Sequence, residues 1–242
     1  MFHGEAFTWQ RDHELLQPFF ISIFKKSFAN WVFGKIAFAS LIKSYGDNYR
    51  NELGINKDDR VLITSAHWRR HKRLEETIKL LKILNDQSNY NYKLIILGRA
   101  KKNYSDENIF HIGEVNPDLL SKWYRSADIY VHLAWIEPCG NTQIEAMASG
   151  LPVICCNNGG IGETVMKANA GIVVDCDQNF EMDFIDYYNP PEPNYIKLID
   201  AIDKIFNNLS KYKNEINYDY LDIDFGARLY YQFIRDVYDK KL

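Results

Sequence analysis

Three observations predict an α/β fold, helices covering a parallel sheet. From Arg60 onward short apolar runs alternate with amphipathic stretches, as in strand-helix units stacked side by side. Helix-start and helix-stop residues punctuate that alternation. The composition, 242 residues with 46% hydrophobic and 25% charged, supplies enough apolar material for one large domain or two small ones.

The elements follow in order. Val61 to Thr64 is the first strand, and Leu74, Ile78, Leu81 and Leu84 then recur at helical spacing from about Lys72 to Asn85. Glu75, Glu76, Lys79 and Lys82 fall off that stripe. Tyr92 to Leu97 and Ile109 to Ile112 are the next strands, the latter ending at Gly113. Asn116, Pro117 and Asp118 open a helix as N-cap, first-turn proline and acid on the positive end of the dipole. Asp128 to Leu133 is a further strand, and the helix Thr142 to Ser149 stops at Gly150. A strand from Pro152 to Cys155, a short helix after Gly159-Gly160 and a strand from Gly171 to Val174 close the series. Residues 186–194 hold three of the seven prolines. Ile196, Ile199, Ile202, Phe206 and Leu209 mark one later helix, and Leu229, Phe233, Ile234 and Val237 another. Together these read as a Rossmann-like, doubly wound sheet.

Lys plus Arg number 29 against 32 Asp plus Glu, a formal charge of -3, which carries no polyelectrolyte signal for nucleic acid. Apolar windows fall short of a membrane span, and Glu5, Asp12 and Glu14 do not suit a signal peptide. The expected location is the cytoplasm. Cys139, Cys155, Cys156 and Cys176 form no C-x-x-C pair and read as reduced thiols. Between Leu15 and Gly46 stand four lysines, no acid and seven Phe or Trp residues. That segment suits packing against a neighbouring protein domain, the preferred reading, or an anionic membrane surface.

Chemistry concentrates at strand ends. Glu137 to Glu145 lies between a strand and a helix, where open parallel sheets bind ligands. Gly140 allows close backbone approach, and the amides of Gly140, Asn141 and Thr142 suit a phosphate or diphosphate. A carboxylate there would repel phosphate, so Glu137 and Glu145 are assigned to hydroxyls, which implies a ligand combining phosphates with sugars. A second turn, Asn157 to Gly162, follows the next strand on the same edge. After the first strand, Arg69, Arg70, Lys72 and Arg73 put four cations in five positions, a patch able to neutralise a diphosphate without a metal. No histidine or carboxylate spacing marks a metal site.

Glu137, seven intervening residues and Glu145, followed by AMASGLPV and the glycine turn with Glu163, resemble the donor-binding half of the retaining GT-B glycosyltransferases, the large family of sucrose, glycogen and lipopolysaccharide synthases. HIGEV (111–115) and LLSKWYRSADIYV (119–131) support the likeness. The resemblance implies sugar transfer from a nucleotide-diphosphate donor with retention, without a covalent intermediate and with no cofactor beyond the donor. It implies Glu137 on the donor sugar, Glu145 on the ribose, the backbone of Cys139, Gly140, Asn141 and Thr142 on the phosphates, Lys72 on the diphosphate and the Gly113 loop on the base. The family's Gly-Arg falls on Ala66-His67, leaving Arg69 or Arg70 as the second cation. Catalytic roles are thus expected for Glu137, Lys72 and Arg69, and donor binding for His67, Arg70, Cys139 to Thr142, Glu145 and Gly113.

The expected division is an N-terminal segment 1–57, remnant or linker of an acceptor domain, a nucleotide-sugar-binding domain 58–225, and a C-terminal helix 226–242 crossing toward the acceptor side. With no room for a full acceptor domain, the chain is expected to be a donor half: a fragment of a longer protein, a truncated product or one subunit of a split enzyme whose acceptor domain is a partner chain. It is expected to act on a glycan or lipid-linked acceptor, with the inner face of a membrane as a further candidate partner. A donor-binding subunit without turnover and a sugar-nucleotide epimerase of related fold are the alternatives.

Overall fold

β1 (Arg60–Ser65) is a central strand of a six-stranded, all-parallel sheet of order β3-β2-β1-β4-β5-β6. The computed structural model describes residues 48–137, 140–175, 186 and 188–239. The other strands are β2 (Tyr92–Leu97), β3 (Ile109–Gly113), β4 (Ile129–His132), β5 (Val153–Cys156) and β6 (Gly171–Val174). The apolar runs of β1, β2, β4 and β5 are buried almost without interruption, as expected of strands covered on both faces, while the edge strands β3 and β6 are largely half-buried. The order runs outward from β1 through β2 to β3 and then restarts at β4 on the other side. This reversal leaves a crevice between β1 and β4 at their carboxyl ends.

The connecting helices are α1 (Leu74–Gln87), α2 (Leu120–Arg125), α3 (Asn141–Ala148) and α4 (Ile161–Lys167). α5 (Tyr195–Phe206) and α6 (Leu209–Asn214) follow β6. The stripe foreseen on α1 is buried, Leu74, Ile78, Leu81 and Leu84 among the core side chains, each worth ~1.5–3 kcal/mol on burial. Glu76 departs from the expected solvent face: it is buried, and Arg70 Nη1 lies 2.5 Å from its Oε1. α1 also starts two residues later than the spacing suggested. Residues Arg70–Lys72 form a 3-10 turn, and Arg73 has φ 56°, a left-handed conformation that separates turn from helix.

The helix expected over 196–209 is two helices; Ile199, Ile202, Phe206 and Leu209 of its stripe lie in or against the core, but the most buried face is centred beside them. Leu198, Ala201, Ile202 and Ile205 are buried while Ile196 is 81% exposed. Asn194 caps α5 by accepting from the Lys197 amide, and packing on β5, β6 and α1 selects one of two overlapping apolar stripes. Asn116 likewise caps its turn through the Asp118 amide, opening a 3-10 turn Pro117–Leu119 ahead of α2. Gly150, at φ +86°, ends α3 as expected.

Described residues up to Tyr218 belong to one compact unit and those from Asp219 to a second. α7 (Tyr218–Leu221) leads to α8 (Ile223–Asp239), on which Leu229, Tyr230, Phe233 and Ile234 are exposed. Among the described residues no helix is long and apolar enough to cross a membrane. The basic, aromatic stretch Leu15 to Gly46 lies outside the described residues, as do Cys139 and Cys176.

Candidate functional site

A cleft of about 330 Å³ opens at the carboxyl ends of β1 and β4, lined from one side by Ala66, His67, Arg69, His71 and Lys72 and from the other by His132, Glu137 and Gly140 to Thr142. It sits at the crevice that the strand order creates.

Each wall is positioned by the local fold. The 3-10 turn after β1 carries His71 and Lys72, and the His71 carbonyl accepts from the Trp135 amide at 2.7 Å, tying this turn to the segment after β4. Arg73, counted with the cationic patch from sequence, is corrected by the structure. Its left-handed backbone turns it into the core, where it is 1% exposed, donates to the carbonyls of Leu133 and Pro191 and lies 5.1 Å from the Trp135 ring. Arg70 is held by Glu76, so Arg69 is the guanidinium that lines the cleft.

The opposite wall hangs on α3. Gly140 is its N-cap and brings no side chain to the first-turn amides, leaving their N–H groups and the positive end of the helix dipole at the cleft. Tyr130 Oη lies 3.0 Å from the Ser65 carbonyl and 2.8 Å from Thr142 Oγ1. Its one proton goes to the carbonyl, so the Thr142 hydroxyl donates to the phenol oxygen, pinning the helix start to β1. The Glu137 backbone rests on the second glycine turn: its amide donates to the Asn158 carbonyl at 3.2 Å. Gly159, at φ +104°, leaves a gap in which a Cβ would stand 2.6 Å from the Glu137 carbonyl oxygen.

Glu137 is the electrostatic centre. Lys72 Nζ forms an ion pair with its Oε2, and His132 Nε2 lies 3.4 Å from the same oxygen. Burial alone would raise the Glu137 carboxyl, but the His132 and Lys72 contacts outweigh it and hold the group at about 2. Burial lowers His132, with Glu137 pulling the other way. Burial and the charge of Lys72 likewise lower His71. The site is therefore a carboxylate-ammonium pair flanked by two imidazoles whose charged forms burial disfavours.

Seven of the expected residues meet in this cleft: Glu137, Lys72, Arg69, His67, Gly140, Asn141 and Thr142. Three others lie outside its lining. Arg70 turns to Glu76; Gly113 closes β3, its carbonyl accepting from the Gly98 amide at 2.6 Å. Glu145 accepts from the buried Tyr124 hydroxyl at 3.0 Å, and burial raises its carboxyl, an effect this bond partly opposes. Cys139 falls outside the described residues. His71 and His132 were not singled out from sequence, although a histidine closing an apolar strand run one loop ahead of Glu137 is a usable signal. Among the described residues no group of three His, Cys, Asp or Glu is arranged to hold a metal.

The cleft lies at the switch point of a Rossmann-like sheet, with the α3 start at Asn141 and Lys72 on its walls, the place where open α/β sheets bind ligands. Residues 46–189 match the sequence profile of the family described as glycosyl transferases group 1, and the chain belongs to that family. An uncharacterised glycosyltransferase of Methanocaldococcus jannaschii is 31% identical over 138 residues, 52% of this chain and 35% of that protein. Among solved structures, sucrose-phosphate synthase of Thermosynechococcus elongatus aligns with a TM-score of 0.60 at 20% identity, over 83% of this chain and 51% of that one. The GtfA/B complex aligns at 0.52 and 18%, over 76% and 37%. At such identities the likeness is one of GT-B fold. The chain spans about half or less of the length of the proteins it matches.

Proposed function

We propose that this chain is the donor-binding half of a retaining glycosyltransferase, holding a nucleotide-diphosphate sugar in the β1/β4 cleft for transfer to an acceptor. One observation carries the reading: Lys72, the uncapped start of α3 and the carboxylate of Glu137 meet in one cleft. A cation and a helix dipole serve a diphosphate, and a carboxylate serves sugar hydroxyls. As the bond from the anomeric carbon to the phosphate oxygen breaks, the electron pair leaves with the diphosphate. Lys72, Arg69 and the amides of Gly140 to Thr142 stabilise that charge, the effect that usually dominates such catalysis. The acceptor hydroxyl attacks from the same face and its proton passes to the departing phosphate oxygen, so configuration is retained. Glu137 orients the sugar. The cations needed are supplied by this chain, without metal or cofactor.

The alignment with the GtfA/B complex supports a second reading of the same site: a nucleotide-sugar-binding subunit that works with a partner chain. Incubation with a panel of nucleotide sugars, with and without glycan acceptors, tests both. Release of nucleoside diphosphate with a product of unchanged anomeric configuration by NMR supports transfer; binding without release supports the subunit; inverted product or no binding overturns the proposal.

A further inference from the structure

Two groups capable of carrying positive charge compete for a single oxygen. Lys72 Nζ holds Glu137 Oε2 as an ion pair, while His132 Nε2, at 3.4 Å from that oxygen, makes no hydrogen bond among the described residues. His132 is 4% exposed at the end of β4, its ring stacked on Tyr130 at 6.3 Å, and its register partner on β5 is Cys155. Among the described residues the charged or titratable groups around it are Glu137, Lys72, the neighbouring His71, Tyr130 and Cys155, of which Glu137 is the carboxylate.

The inference rests on the proposed role of Lys72 in holding a diphosphate. A lysine cannot keep the Glu137 oxygen and also sit on the diphosphate at full strength. When it moves, a buried carboxylate is left without its ammonium, and a carboxylate in that state is strongly disfavoured unless another donor reaches it. His132 is the donor in place. We propose that His132 takes over Glu137 Oε2 when the diphosphate draws Lys72 away, gaining a proton from solvent as the donor binds. Balance is simple: neutral imidazole plus one proton gives imidazolium, whose Nε2–H donates to Glu137 Oε2, and no other bond changes.

His132 is thus a positioning residue for Glu137, keeping the carboxylate ionised and aimed after the ion pair opens, and donor binding is coupled to proton uptake. In the free chain burial keeps His132 neutral, which leaves the proton to be taken up. A role confined to packing would involve no proton.

The test is titration calorimetry of the whole chain with UDP, GDP, ADP and inorganic pyrophosphate at pH 7.5, in buffers of different ionisation enthalpy, so that the slope of apparent enthalpy reports protons exchanged. Uptake approaching one proton per diphosphate in the wild type, abolished in His132→Gln and in Glu137→Gln but kept in His71→Gln, is the expected result. Uptake lost only in His71→Gln, or binding with no uptake in the wild type, overturns the role of His132 while leaving the diphosphate site standing. No binding of any probe overturns both. The wild-type slope needs no variant to fold, and thermal melts of His132→Gln identify loss of uptake caused by unfolding.

Discussion

Lys72 and His132 approach the same carboxylate oxygen of Glu137 from opposite walls of the cleft, one as a formed ion pair and the other 3.4 Å away. From the sequence Glu137 was assigned to sugar hydroxyls, apart from the phosphate cations; in the folded chain it already occupies the principal one. Glu137→Gln should therefore abolish transfer yet tighten nucleoside diphosphate binding, because Lys72 no longer has to leave a carboxylate. An increase of about 1 kcal/mol, roughly fivefold, is expected, and calorimetry with UDP, GDP and ADP checks it. Unchanged or weaker binding would place Lys72 elsewhere in the complex.

The same pair leaves a signature in stability. The Glu137 carboxyl is held at about 2 in the folded chain against an ordinary 4.5. A carboxyl depressed on folding contributes its stability in full above the unfolded value and loses it as pH falls through the folded one, here between about 4.5 and 2. That shift corresponds to roughly 3 kcal/mol. Urea unfolding of wild type and Glu137→Gln should differ by a constant amount above about pH 5, the gap closing as acid is added. A gap independent of pH would mean the carboxyl is not depressed.

Glu145 behaves in the opposite sense. Burial raises its carboxyl, so ionisation at neutral pH opposes folding, and the stability it contributes in protonated form is lost as pH rises through the raised value. Glu145→Gln keeps an oxygen for the Tyr124 hydroxyl without a charge and should be neutral or stabilising at pH 7, whereas Tyr124→Phe leaves the acid short of a donor and should cost about 1–3 kcal/mol. If Glu145 reaches the ribose, as the family resemblance implies, Glu145→Ala additionally weakens nucleotide binding; chemical denaturation and calorimetry separate the two effects.

Gly159→Ala tests how Glu137 is placed. At φ +104°, with the Glu137 carbonyl oxygen 2.6 Å from where the Cβ would be, alanine is both strained and obstructed, about 1–3 kcal/mol. Transfer should fall further than diphosphate affinity, since Lys72 and α3 do not rest on that turn. Equal losses in both would show that the turn supports the whole cleft.

Much of this architecture was legible before folding. β2 and β6 begin and end where the sequence expects them, because short runs rich in apolar and β-branched residues bounded by turn residues mark strands locally, whether central like β2 or at the sheet edge like β6. The Glu137 to Thr142 loop was legible because a strand, a glycine and a helix start are local features. What escaped reading depends on contacts distant in sequence. Arg73 faces the core because carbonyls of Leu133 and Pro191 await it, and the phase of α5 is chosen by β5 and β6. His132, by contrast, lies one loop ahead of Glu137 and was within reach of a local reading, but only the distant Lys72 shows that the two share one oxygen.

Titration of wild type and Lys72→Met with UDP, GDP and ADP, alongside the matching nucleosides, tests the diphosphate site most directly. At least one diphosphate should bind the wild type, and Lys72→Met should weaken it by ~1.5–3 kcal/mol while the nucleoside's affinity stays nearly unchanged. Equal affinity of the two proteins for every diphosphate, or no binding by the wild type, would contradict the assignment of this cleft.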